Sequence, residues 1–64
     1  MITLTRLNGQ AFVLNAEKIR MVEQTPDTLI CCDGGERVMV KETMQEVIRR
    51  SIEYARLVRR VITD

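Results

Sequence analysis

The sequence predicts an α+β fold, a small and strongly bent antiparallel sheet of about five short strands followed by one long C-terminal amphipathic helix. Three observations lead there. Residues 43–62, TMQEVIRRSIEYARLVRRVI, run without Gly or Pro and keep their apolar groups to one side. Ahead of them, short apolar segments alternate with Asn8-Gly9, Pro26-Asp27 and Gly34-Gly35, pairs that favour tight turns. The chain has only 64 residues, so one domain is expected, with a β-rich portion at 1–41 and the helix at 43–62.

The first strand is MITLTR. Ile2 and Leu4 face one way and Thr3 and Thr5 the other, the pattern of a strand with one wet face. Asn8-Gly9 turns the chain, since both residues accept positive φ. Residues 10–14 return as the second strand, with Phe12 and Leu14 on one face and Phe12 as the largest core residue. Residues 15–18 make a second turn, or a single helical turn capped by Asn15. The third strand covers 19–24, with Ile19 and Met21 inward and Arg20 outward, although Val22 blurs the alternation. Thr25-Pro26-Asp27-Thr28 turns with Pro26 at its second position, where a fixed φ helps. Residues 29–32 are all apolar or thiol, so the fourth strand is expected to be covered on both faces. Asp33-Gly34-Gly35-Glu36 is another tight hairpin, and the fifth strand follows at 37–41 with Val38 and Val40 on one face. Links this short imply antiparallel neighbours and a sheet bent towards a partial barrel.

The helix begins at Thr43, an N-cap residue with Glu46 three positions later, the spacing of a capping box. At 100° per residue, Met44, Val47, Ile48, Ser51, Tyr54, Ala55, Val58, Val61 and Ile62 share one broad side. Ile52 and Leu57 lie on its shoulders. At 1.5 Å per residue the helix is roughly 30 Å long, about as long as so small a domain is wide. Five short strands do not cover all of that apolar side, and open strand edges invite pairing. A homo-oligomer, dimer or trimer, is therefore expected, with Leu57, Val58, Val61 and Ile62 as the candidate interface.

Composition removes several classes of function. There is no His, so histidine-based acid–base chemistry and histidine metal ligation are absent. The only cysteines are the adjacent Cys31 and Cys32. Neighbours in a strand point to opposite faces, a geometry that suits neither a disulfide nor a zinc site. One is read as core and the other as half-exposed, in a reducing compartment. Asp27 and Asp33 sit in turns, where Asp is favoured for backbone reasons. Asp33-Gly34-Gly35 is too short for a phosphate loop. No catalytic residue, cofactor or metal is expected. There is no run of about 20 apolar residues to span a bilayer, and Thr3, Thr5 and Arg6 break the apolar start that a signal peptide needs. A cytoplasmic protein is expected.

Formal net charge is +1. Residues 1–42 carry five basic and six acidic groups, whereas residues 43–64 carry five Arg against Glu46, Glu53 and Asp64. Arg49, Arg56 and Arg60 fall close together around the helix axis and form a candidate basic patch able to track phosphates or meet an acidic membrane surface. The alternative is a solvated helix face, which also suits the negative end of the helix dipole. The aromatic platforms of single-strand binders are missing.

The chain resembles the small bacterial flagellar proteins of the FlbD/SwrD family. The resemblance is carried by Leu4-Thr5-Arg6-Leu7-Asn8-Gly9, Phe12-Val13-Leu14-Asn15, Ile19, Glu23, Thr25-Pro26-Asp27-Thr28 with Ile30, Gly35, and Val40-Lys41-Glu42-Thr43 with Glu46-Val47. The family commonly has Ser where this chain has Thr43, and either caps a helix. The resemblance implies a non-enzymatic protein that supports swarming or flagellar motor power through protein–protein contacts. It implies a flagellar apparatus protein as partner and a place in the cytoplasm near the inner face of the membrane at the flagellar base. Contact residues are then sought in turns, where function concentrates: Asn8 and Gly9, and Thr25, Pro26, Asp27 and Thr28.

The opening Met1-Ile2-Thr3-Leu4-Thr5-Arg6 with Gly9-Gln10 also resembles the start of the CsrA/RsmA carbon-storage regulators, which are dimeric RNA-binding repressors. Arg6 would match an arginine of their first strand. Their second RNA-binding patch centres on an arginine just before the helix. Here that stretch is Val40-Lys41-Glu42-Thr43, with one basic residue and an acid that opposes phosphate, so RNA binding stands as the alternative reading.

Overall fold

The computed structural model describes the backbone of residues 1–63 and the side chains of residues 1–60. Five strands and one helix occur in the expected order: β1 (Ile2–Thr5), β2 (Ala11–Leu14), β3 (Ile19–Gln24), β4 (Thr28–Cys32), β5 (Arg37–Val40) and α1 (Met44–Thr63). A single 3-10 turn at Ala16–Lys18 separates β2 from β3, and the Asn15 Oδ1 caps it by accepting the Glu17 N–H at 3.1 Å.

The strongly bent sheet is not what forms. The strands divide into an antiparallel pair β1-β2 and an antiparallel triplet in the order β3-β4-β5. An isolated bridge between Arg6 and Val40 joins the two, with the Lys41 N–H donating to the Thr5 carbonyl at 2.8 Å. The assembly is neither closed nor strongly curled. Closure needs continuous pairing around a ring. Here the capped 3-10 turn takes the chain off the β2 edge before β3 begins, and strands of four to six residues are too short to build up much coil.

The side-chain pattern follows the registers. Ile2 pairs with Leu14 and Leu4 with Phe12. Ile2 and Leu4 are buried, and Phe12 and Leu14 pack half-buried against them. Val13, on the other face, is 61 % exposed. In β3 a register shift between Ile19 and Met21 turns Val22 to the core and Met21 to solvent. That shift reverses the expected placement of Met21, and a β-bulge re-aims side chains in this way. β4 is the middle strand, flanked by β3 and β5, and its covering on both faces is as expected. Both cysteines are therefore buried, each 3 % exposed, rather than one being half-exposed. Cys32 faces the core, while the register sets Cys31 between Met21 and Arg37 on the outer face.

At the centre four side chains are fully buried, one from each of four elements: Leu4 of β1, Ile30 of β4, Val40 of β5 and Val47 of α1. The helix thus anchors by its second turn and packs against β1 and β3. Its start is capped as Thr43 predicts: the Thr43 Oγ1 accepts the Glu46 N–H at 3.1 Å and the Thr43 carbonyl accepts the Val47 N–H. The reciprocal half of the capping box is missing. The Glu46 carboxylate turns instead to Arg49 and Arg50, and Gln24 of β3 supplies a further cap, its Oε1 accepting the Met44 N–H at 2.9 Å.

With so small a core, one deletion should be decisive. Leu4→Ala is expected to cost roughly 2–5 kcal/mol, against a total stability of about 3–10 kcal/mol for a chain of this size. Val13→Thr, on the exposed face of the same hairpin, should stay within about 0.5 kcal/mol. Urea unfolding followed by circular dichroism separates the two.

Candidate functional site

The two turns singled out in the sequence are shaped by local hydrogen bonding. After β1 the loop closes with the Arg6 N–H on the Gln10 carbonyl at 2.8 Å and the Gly9 N–H on the Arg6 carbonyl at 2.9 Å. Within this loop only Gly9 takes positive φ, at 93°. Asn8 contributes its side chain instead, its Oδ1 accepting the Gln10 N–H. Between β3 and β4 the Thr25 N–H donates to the Asp27 carbonyl, and the Thr25–Pro26 peptide bond is cis.

Leu7, which leads into the first turn, and Pro26, Asp27 and Thr28 at the second line one cleft of about 340 Å³. Leu7 forms one wall and Pro26, Asp27 and Thr28 another, with Gln24, Lys41 and Thr43 completing it over a floor of Val40. Asp27 and Lys41 are exposed at this cleft and Thr28 is buried within it. Asn8, Gly9 and Thr25 do not line it.

Beside the cleft lies a polar junction that the sequence reading did not single out. Glu42, in the link from β5 to α1, accepts the Thr5 N–H on Oε1 at 2.9 Å and the Thr5 hydroxyl on Oε2 at 2.8 Å. Arg50 of α1 stands 3.6 Å from the same carboxylate, and its Nη1 donates to the Thr3 carbonyl at 2.6 Å. Burial raises the Glu42 pKa, but the two Thr5 hydrogen bonds and the Arg50 charge outweigh it, and the net shift is downward. One carboxylate therefore links β1, the β5–α1 connection and the helix.

The candidate basic patch is not a free row. Arg49 is held by Glu46 through Nε and Nη2, and by Glu53 through Nη1 at 2.6 Å. The arginine hydrogen bonds, Arg49 first and Arg50 second, pull Glu46 down to about 2. Arg56 and Arg60 are exposed on the same helix. Of the residues an RNA site would gather, Arg6 bridges next to Lys41 but stacks its guanidinium over Phe12, 4.4 Å from the ring centroid. Arg37 lies at the far end of β5, beside Glu36. Burial first, then the nearby Glu36 and Asp33, pushes the Cys32 thiol up, which keeps it protonated and poorly nucleophilic. Among the described residues no three His, Cys, Asp or Glu side chains gather to hold a metal, and no helix is long and apolar enough to cross a membrane. Of the candidate interface, Leu57 is 60 % exposed and Val58 half-buried, while the side chains of Val61 and Ile62 lie outside the described residues.

Comparison with known families decides the kinship. The family described as FlbD, flagellar and swarming motility proteins, matches residues 1–59. The chain belongs to the FlbD family. No curated protein and no solved structure matches it. The FlbD match spans all five strands and most of α1, so it takes in the cleft and the Glu42 junction together.

The junction has a pH signature. The folded pKa of Glu42 is depressed, so its contribution is complete above the ordinary carboxylate value of 4.5 and is lost as pH falls through the depressed value. Glu42→Gln should therefore lower thermal stability at pH 7 and flatten the acid side of the stability curve. At pH 7 Glu42→Ala should cost roughly 1–3 kcal/mol, because it leaves the Thr5 N–H without its partner. Melting temperatures of parent and variants across pH 2 to 7 check this.

Proposed function

We propose that the chain works in flagellar motility as a non-enzymatic adaptor, docking a protein of the flagellar apparatus in the cleft between the Leu7 loop and the Pro26-Asp27 turn. The family supplies the setting. The observation that carries the reading is the convergence of Leu7 with Pro26, Asp27 and Thr28 on one cleft, because these residues come from two of the sequence blocks that carry the family resemblance. A cleft with an apolar wall and an acid and a base exposed at its edge suits a protein surface, where an apolar contact gives affinity and charges set orientation. The reading needs no chemical step. It places the chain in the cytoplasm, near the inner face of the membrane at the flagellar base, where it supports swarming or motor power.

The test is a strain in which only this protein carries the change. Asp27→Lys and Leu7→Ser alter exposed residues and should leave helicity and melting nearly unchanged in the purified protein. Swarming should fall with either change and fall further with both. Normal swarming from a strain carrying both folded changes would count against this cleft as the docking site.

A further inference from the structure

The helix is longer than the body that supports it. It fixes itself by Val47, and the apolar side chains beyond are only partly covered: Tyr54 and Val58 are half-buried, Ala55 is exposed and Ile52 is 47 % exposed. Two adjoining hollows run along this flank. One, of about 270 Å³, lies between the helix and Ile19 and Val22 of β3, and the other, of about 370 Å³, lies against the 3-10 turn. They share Ala16, Ser51 and Ala55, so they form one groove, apolar along most of its length.

The dimensions are those of a chain less compact than its length allows. A compact chain of 64 residues has a radius of gyration of about 10.7 Å, whereas this one measures 12.1 Å and extends 40 × 22 × 18 Å. A folded chain of 7.4 kDa is expected to expose about 4,200 Å². This one exposes 4756 Å², an excess of roughly 550 Å². A standard interface removes about 800 Å² per partner. Burial on that scale is more than enough to remove the excess. The groove's helix wall also has the spacing that a second helix requires. Ile48, Ser51, Ala55 and Val58 follow at intervals of three, four and three, the seam that meets a neighbouring helix side by side. Small residues at its centre allow the axes to approach closely.

We propose that a second copy of this chain covers the groove, the two α1 helices packing antiparallel across Ser51, Ala55 and Val58 about a two-fold axis near Ala55. The interface is isologous, so it closes at two copies and does not propagate. Antiparallel packing near the free half of each helix sets the two bodies towards opposite ends of the pair. It leaves the Leu7 and Asp27 cleft, on another part of the surface, open in both copies. The proposal stands whether or not that cleft is a docking site.

Sedimentation equilibrium on the purified full chain at tens of micromolar tests it. The expected mass is twice 7.4 kDa. Ala55→Glu, at an exposed position, brings two carboxylates together across the axis and should weaken association at least about tenfold, with far-ultraviolet circular dichroism of the monomer retained. A second variant does not depend on introducing a charge. Under mild oxidation Ala55→Cys should give a covalent dimer, which Arg56→Cys and the parent, whose own thiols are buried, should not. A parent that stays monomeric at these concentrations would overturn the proposal, as would a trimer. A dimer that neither weakens with Ala55→Glu nor cross-links through Ala55→Cys would also overturn it.

Discussion

The Glu42 carboxylate is the junction on which the rest of the molecule depends. A two-stranded hairpin of four-residue strands is marginal by itself in water, and among the described residues β1-β2 has no ladder partner beyond its own two strands. What ties it to the triplet is a cluster of contacts within a few residues. Arg6 bridges Val40, Lys41 donates to the Thr5 carbonyl, and the Thr5 N–H and hydroxyl both donate to Glu42. Arg50 then draws the helix onto the same corner through Glu42 and the Thr3 carbonyl. Hydrophobic contact among Leu4, Ile30, Val40 and Val47 supplies the non-directional driving force. The junction supplies orientation, since a charge-assisted pair of hydrogen bonds tolerates little rotation.

That corner also places the cleft. Lys41 and Thr43 flank Glu42 in the chain, Leu7 follows the strand that Glu42 holds, and Gln24 reaches from β3 to cap the helix beside it. The sites of stability and of proposed contact are therefore neighbours, with different exposures. Glu42 is half-buried and committed to internal bonds, while Asp27 and Lys41 face outward. The helix shows the same division on a larger scale. Its first half is held by the core and by the Arg49 and Arg50 pairs with Glu46. Its second half carries Arg56, Arg59 and Arg60.

Much of this architecture was legible in the sequence, for a physical reason. Strand and turn alternation, Asn15 and Thr43 as caps, and the helix period are local properties, set by residues within four or five positions of each other. What could not be read was long-range. Periodicity assigns a face to Ile2 or Val38 but does not say which strands pair, so one bent sheet was expected where two ladders form. The bulge that exchanges Met21 for Val22 depends on a mismatch against β4, invisible from β3 alone. The thiols were divided between core and surface because alternation distinguishes faces, not depth, and a middle strand buries both. Of the site, the two turns were legible from Gly, Asn and Pro. Their convergence and the Glu42 bond to Thr5, spanning 37 residues, were not. Glu42 read as a charge near a helix start, with nothing local to reveal a partner.

Native-state amide hydrogen exchange, followed residue by residue by NMR, tests the role of this junction most directly. If the Glu42 corner holds the hairpin, the Thr5 and Lys41 amides should exchange only through global unfolding, with the same protection free energy as the amides of the middle strand β4. Thr5 and Lys41 amides that exchange as freely as those of an open loop, while β4 keeps full protection, would contradict it, because the hairpin would then open without the rest.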